Sequence, residues 1–343
     1  MCVGVIRAAS AMIATAPLAA ALMIAPAHAQ VPVKLTLDGR LEAPAAPFLL
    51  GLDRGYFKDE GLDLTVEPAA NPQEPFTRLA SGGFDVGVGD INALMRWRDQ
   101  NPTVATKAIF VIHNRPAYGI VARRSRGVME PKDLEEKKLG APALDPASAA
   151  WPIFAKLNGI DAAKVTVLNV GIPVREPMLA AGEVDAVTGV SYGAPITLRE
   201  KGVPADDLTF MLMADRGLEL YGSSILAGAK FLAEKPDSAK SFVRAYVRAL
   251  KETIKDPAAA IAALMQRNGG LNRDIELERL TLVLKAHILT AEAKANGLGE
   301  IDAARFERAV DQIALASPFK AKPKATDIFD ATFLPPEAER AAD

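Results

Sequence analysis

The sequence predicts an α/β protein of two similar lobes sharing a ligand cleft, and three observations carry that reading. A phrase recurs 100 positions apart: Leu79-Ala80-Ser81-Gly82-Gly83-Phe84-Asp85 running into Val86-Gly87-Val88-Gly89, then Leu179-Ala180-Ala181-Gly182-Glu183-Val184-Asp185 running into Ala186-Val187-Thr188-Gly189. In each copy a helix closes on a Gly that can take the left-handed conformation, and an Asp leads into a short apolar strand. That is the return half of a βαβ unit, and open α/β sheets bind ligands beyond the carboxyl ends of such strands. Strand-like and helix-like segments then alternate as far as residue 227. Beyond it, apolar residues fall at three- and four-residue spacing, the mark of a helical tail.

Taken in order, Val33 to Leu37 alternates as a first strand, and a Pro-rich loop runs from Asp38 to Pro47. A helix is predicted over 48–59, closed near Gly61, with a strand over 62–66. Pro75 to Ala80 reads as helix, 84–88 as strand and 91–98 as helix. Strands over 104–112 and 118–122 flank His113-Asn114-Arg115-Pro116. A second series opens at Leu139 to Pro142: helix 151–158, strand 165–170, helix 176–181, strand 186–188, helix 195–201. Residues 208–213 and 224–227 are strand-like. Helices follow over 235–265, 273–295 and 302–316, with Asp237 and Asp256-Pro257 as start signals. The repeat assigns 31–119 and 222–343 to lobe I and 120–221 to lobe II, with crossings at about 113–122 and 212–224.

Composition narrows the class. Arg7 is the only charge before Lys34, an apolar stretch runs from Ala8 to Pro26, and Ala27-His28-Ala29 precedes Gln30. A basic start, an apolar middle and a small-residue exit predict a secretory signal peptide over 1–29, cleaved after Ala29 into the periplasm. Pro17 and the small, polar flank argue against a membrane anchor. Cys2 lies within the leader, so the mature chain offers no disulfide, thiol nucleophile or thiolate metal site. Losing Arg7 leaves 39 of the 40 basic residues against 42 acidic ones, a net charge of −3. Those charges are dispersed, which excludes the basic stripe of a nucleic-acid binder. No later apolar run reaches the ~20 residues that span a bilayer.

A family resemblance rests on Gly55-Tyr56-Phe57-Lys58-Asp59-Glu60-Gly61-Leu62-Asp63-Leu64, Lys132-Asp133-Leu134 with Lys137-Lys138-Leu139-Gly140, Pro236-Asp237-Ser238-Ala239, Asp256-Pro257-Ala258-Ala259-Ala260 and Phe333-Leu334-Pro335. These segments resemble the sulfonate-, nitrate-, taurine- and thiamine-precursor-binding (NMT1/THI5-like) family of exported solute-binding proteins, over nearly the whole mature chain. The resemblance implies a type II periplasmic binding-protein fold that hands a small solute to an ABC importer, working as a monomer without cofactor. The same fold includes a desulfinase and a thiamine-pyrimidine synthase that use cysteine or a cysteine-rich motif, which the mature chain lacks.

Catalytic motifs fare less well. Gly189-Val190-Ser191-Tyr192-Gly193 fits a nucleophile elbow, but the only downstream His, His287, sits in a helical pattern, and no His-Gly-Gly oxyanion loop exists. Gly87-x-Gly89-x-x-Asn92 lacks the third Gly of a dinucleotide fingerprint, and no Gly-Lys pair supports a P-loop. With only His113 and His287 of the three histidines in the mature chain, a histidine metal site is not expected. What remains are loops expected at the cleft: Arg40 and Glu42, Asp90 and Asn92, and Asn114-Arg115 from lobe I; Asp145 and Ser148, Arg175, Ser191 and Tyr192 from lobe II. Several open helices, whose free N–H groups suit an anion. Asp90, Asp145 and Ser148 equally suit N-capping; Arg40, Glu42 and Arg175 equally suit solvated loops. The mixed charge predicts a ligand with an acid group and an amine or ring. The alternatives are a cofactor-independent enzyme on this fold and a secreted hydrolase using Ser191.

Overall fold

The structure is a computed structural model that describes residues 1–4 and 29–342. The predicted leader lies almost wholly outside the described residues. Ten strands follow one another along the chain: β1 (Val31–Thr36), β2 (Leu62–Glu67), β3 (Val86–Asp90), β4 (Lys107–Val111), β5 (Tyr118–Arg123), β6 (Lys138–Gly140), β7 (Thr166–Leu168), β8 (Ala186–Val190), β9 (Leu208–Leu212) and β10 (Ser223–Ala227). Helices α1 (Ala46–Asp53), α2 (Tyr56–Asp59), α3 (Glu74–Ala80), α4 (Ile91–Gln100), α5 (Pro146–Leu157), α6 (Arg175–Ala181) and α7 (Ala194–Glu200) connect them. The tail carries α8 (Ala229–Glu234), α9 (Pro236–Lys255), α10 (Pro257–Arg267), α11 (Arg273–Val283), α12 (Ala291–Asn296), α13 (Ala303–Ala316) and α14 (Ala325–Ile328).

The strands form two sheets of matching design, ordered β2-β1-β3-β10-β4 and β7-β6-β8-β5-β9. Each has a parallel trio and then an antiparallel strand that arrives from the other sheet. The repeated phrase builds β3 and β8, which hold the same place. Gly82 and Gly182 close α3 and α6 at φ 73° and 76°, a conformation costly for residues with a Cβ. Asp85 then accepts the backbone N–H of Lys34 at 2.9 Å and returns its own N–H to the Lys34 carbonyl at 3.0 Å. Asp185 does the same with Lys138, at 2.9 Å in both directions. Each Asp pins the incoming strand to the middle strand of its own parallel trio.

Lobe I is filled by aromatic packing. Helix α9 buries Phe242, Ala245, Tyr246, Ala249 and Leu250 on one face, matching helical periodicity. Tyr246 stacks on Phe48 of α1 with ring centroids 4.5 Å apart, and Phe242 meets Phe57 at 5.4 Å. Asp256 caps α10 from Ala259 N–H at 3.1 Å with Pro257 at its first position, as the sequence predicts.

Several predicted boundaries are corrected. The helix over 48–59 is two helices, because Gly55 turns at φ 74° between them. The helix expected from Trp151 begins at Pro146: Asp145 accepts Ala147 N–H at 2.8 Å and Pro146 occupies the first turn, a start signal. The 273–295 helix is interrupted by a π turn over Leu284–Ile288. Strand β5 opens at Tyr118 and pairs with β8, so the lobe boundary drawn after 119 falls inside a strand of the second sheet. Helix α13 buries Phe306, Val310 and Ile313 in one cluster with Trp151 and Phe154 of α5, so this part of the tail leans on lobe II.

Candidate functional site

The carboxyl ends of the two parallel trios point at one another. The segments after β1 and β2 supply Asp38, Gly39, Arg40, Glu42 and Pro72, and Asp90 ends β3; those after β6 and β7 supply Asp145 and Ile172 with Arg175, and Val190 ends β8 just before Tyr192. Together with Phe48, His113 and Tyr118 they enclose a cavity of 240 Å³. Sheet topology alone puts these loops there.

Asp90 is a carboxyl of this lining that burial perturbs strongly. It ends β3 and caps α4, accepting Ala93 N–H at 2.9 Å and Asn92 Nδ2 at 3.2 Å, while the Tyr118 hydroxyl donates to its other oxygen. Burial pushes its pKa up to about 7, against the lowering effect of the Ala93 and Asn92 donors, with the Asp38 charge adding a smaller push. Asp38 is also raised by burial, opposed by hydrogen bonds including one from the Ser223 hydroxyl. His113, buried on the same wall, is driven down to about 3 by burial and by His287, and is neutral at pH 7. Asp90 therefore offers both a donor and an acceptor near neutrality.

On lobe II, Arg175 is buried between two acids, paired with Asp145 and with Glu176, the latter at 2.6 Å. Burial still holds Asp145 above its usual range, with Arg175 pulling it down. The guanidinium is thus already matched. Arg40, exposed at the mouth, is the other cation of the lining, against Asp38, Glu42, Asp90 and Asp145. The cavity is acid-rich.

Of the residues singled out from sequence, Arg40, Glu42, Asp90, Arg175 and Tyr192 line this cavity, with Asp145. Asn92 lies behind it: its amide N–H₂ donates to the Tyr221 carbonyl at 2.7 Å and Oδ1 faces the interior. Asn114 does not line it, being engaged with Glu292 at 2.8 Å, Thr290 at 2.7 Å and Arg305. Ser148 joins Thr188 at 2.7 Å inside lobe II. Ser191 meets His287 Nε2 at 2.6 Å, and Nδ1 of that ring faces the Arg115 carbonyl at 3.1 Å. A hydroxyl–imidazole pair does exist, contrary to the expectation that a helical His would stay apart; the π turn brings it there. Both residues are buried, no carboxylate among the described residues hydrogen-bonds the ring, and neither lines the cavity. Asp38 and Tyr118 escaped the sequence reading, although Asp38 follows β1 just as Asp90 ends β3.

The chain is 25% identical over 221 residues to the 4-amino-5-hydroxymethyl-2-methylpyrimidine phosphate synthase of Schizosaccharomyces pombe, covering 62% of each chain, less than two thirds of that relative's length. It is 22% identical to the formylaminopyrimidine-binding protein of Halalkalibacterium halodurans over 74% of this chain and 77% of that one. The riboflavin-binding protein RibY of Chloroflexus aurantiacus is 24% identical over 96% and 94%. Among solved structures, the periplasmic aliphatic sulphonate binding protein SsuA of Escherichia coli superposes with TM-score 0.66 at 13% identity, covering 85% of this chain and 94% of that one. The periplasmic nitrate-binding protein NrtA of Synechocystis PCC 6803 gives 0.67 at 12%, covering 89% and 87%; such likeness establishes the periplasmic binding-protein fold. A family model described as NMT1/THI5 like matches residues 43–260, and with a match of that extent the chain belongs to the NMT1/THI5-like family.

Proposed function

We propose that this protein is an exported receptor for a small aminated heterocycle, pyrimidine-like in size and hydrogen-bonding pattern, which it hands to an ABC importer. The observation that carries the reading is Asp90. A carboxyl poised at about 7 in a buried cavity presents a donor and an acceptor side by side, the complement of a ring nitrogen beside an exocyclic amine. Phe48 and Tyr192 supply apolar and aromatic walls, as small-ligand sites commonly do. An acid-bearing solute such as a sulfonate or nitrate would meet an acid-rich lining whose buried cation is already paired. The relatives named for binding formylaminopyrimidine and riboflavin, both nitrogen heterocycles, support the choice. Against carrying over the activity of the relatives named as synthases, we set a cavity lining without cysteine and a Ser191–His287 pair that does not line it.

Calorimetry with 4-amino-5-hydroxymethyl-2-methylpyrimidine, taurine, an alkanesulfonate and nitrate tests this. The aminopyrimidine should bind stoichiometrically and be recovered unchanged, and Asp90→Ala should weaken it at least ten-fold. Binding of taurine, sulfonate or nitrate in its place would overturn the reading, and conversion of the aminopyrimidine to product would replace a receptor with an enzyme.

A further inference from the structure

Two histidines meet beside the cavity, and their rings are used very differently. His287, on the π turn, engages both ring nitrogens: Nε2 with the Ser191 hydroxyl at 2.6 Å and Nδ1 with the Arg115 carbonyl at 3.1 Å. His113 engages neither. Its imidazole is 4% exposed and lines the cavity. The ring lies 6.0 Å from that of His287 and edge-on to Tyr192 at 5.9 Å, and neither nitrogen makes a hydrogen bond among the described residues. No atom of His113 is among the sealed, unpartnered polar atoms of those residues, so its free nitrogens open onto the cavity. The backbone of His113 is fully used by contrast, its N–H with the Ser223 carbonyl and its carbonyl with the Gly222 N–H, both at 2.9 Å. The crossing is held without the side chain.

Sheet order says where this ring stands. Strand β10 runs between β3 and β4, with Ser223 paired to Asp90 on one side and accepting the His113 N–H on the other. Neighbouring strands lie ~4.8 Å apart, so the backbones of Asp90 and His113 are ~10 Å apart across the cavity floor. A neutral imidazole carries one N–H donor and one bare acceptor, and burial keeps His113 neutral at pH 7. Leaving both unmet in a buried site is costly. A neutral ring is also no counter-charge, so it suits an uncharged hydrogen-bonding group rather than an ionised acid.

We infer that His113 is a specificity-determining residue of the cavity, hydrogen-bonding an uncharged polar substituent on the side of the solute away from Asp90. The inference rests on the reading of that cavity as a heterocycle site, and it adds a second fixed point. Asp90 holds the ring edge; His113 distinguishes solutes that share this edge and differ in the substituent. An analogue without the polar atom leaves the imidazole unpaired, and sites built to hydrogen-bond a substrate group reject such analogues far more strongly than they reject a missing methylene.

Calorimetry on wild type, His113→Leu and His113→Gln tests this with two probes that differ by a single oxygen, 4-amino-5-hydroxymethyl-2-methylpyrimidine and 4-amino-2,5-dimethylpyrimidine. Wild type should prefer the hydroxymethyl compound by about five- to ten-fold, the worth of one neutral hydrogen bond. His113→Leu should erase that preference while binding the dimethyl compound within about two-fold of wild type, and His113→Gln, which keeps a donor and an acceptor, should restore part of it. In protein with ¹⁵N-labelled histidine, the hydroxymethyl compound should shift the His113 ring nitrogens in the NMR spectrum, and the dimethyl compound should shift them less. If wild type binds both compounds alike, if His113→Leu keeps the preference, or if it weakens both equally, the ring is scaffold. The inference is then overturned while the heterocycle stands. If neither compound binds wild type, the reading of the cavity falls and this inference falls with it.

Discussion

At the scale of single residues, the chemistry of this protein is concentrated in a carboxyl that burial has shifted. The folded-state pKa of Asp90 is about 7, above the ordinary aspartate value of 3.8, so between about pH 4 and pH 7 the folded chain binds a proton that the unfolded chain has released. Its contribution to stability is therefore full below the unfolded pKa and is lost as pH rises through 7. Asp90→Asn keeps the cap on α4 and removes the titration. Urea unfolding should show the variant gaining on wild type between pH 5 and pH 8, by on the order of a few kcal/mol. Parallel stability curves for the two proteins would contradict the buried, shared proton. Asp90 was legible in the sequence because it lies at the end of a predicted strand, whereas its shift was not, since it comes chiefly from burial in the assembled fold. Ser191 shows the converse. The motif around it suggested an exposed hydroxyl, yet the π turn that carries His287 consumes that hydroxyl, and no residue pattern announced a π turn inside an apolar helical run.

Among elements, the repeat proved the most readable signal, and it turned out to mark scaffold. Asp85 and Asp185 hold strand edges rather than ligand. Each should matter locally: Asp85→Ala and Asp185→Ala are each expected to cost about 1–2 kcal/mol, the range for leaving charge-assisted backbone hydrogen bonds unmade at a partly exposed site. The ligand affinity of a variant that remains folded should change little. Denaturant midpoints read the first effect and calorimetry the second; a many-fold loss of affinity from Asp185→Ala would place it in the site after all. Strands and helices alternated where hydrophobic spacing said they would. Boundaries slipped where a local signal was read as something else, as with Asp145-Pro146, taken for a cleft loop when it also starts α5, and Gly55, passed over inside an apparent helix.

For the whole molecule, the two sheets are tied by crossings that lie side by side: His113 N–H donates to the Ser223 carbonyl and Gly222 N–H to the His113 carbonyl, both at 2.9 Å. Away from the crossings, Arg279 of α11 reaches Tyr192 O and Thr197 Oγ1, both at 3.2 Å, and Glu200 at 3.5 Å, holding α7 of lobe II against the tail of lobe I. Lobe closure by hinge bending is the motion such an arrangement permits. Arg279→Ala should loosen the closed form, enlarging the radius of gyration of the unliganded protein in small-angle scattering and weakening ligand several-fold, with ligand recovering the compact form. An unchanged radius would mean the crossings alone set the lobe angle. The matched sheets carry one further consequence. Positions 85 and 185 do the same work, but five residues on, the equivalent positions differ: Asp90 on one side of the cavity, Val190 on the other. Descent by duplication would thus have preserved the frame while leaving each strand tip free to drift, so that such a receptor can exchange one solute for another by altering a single lip of the cleft.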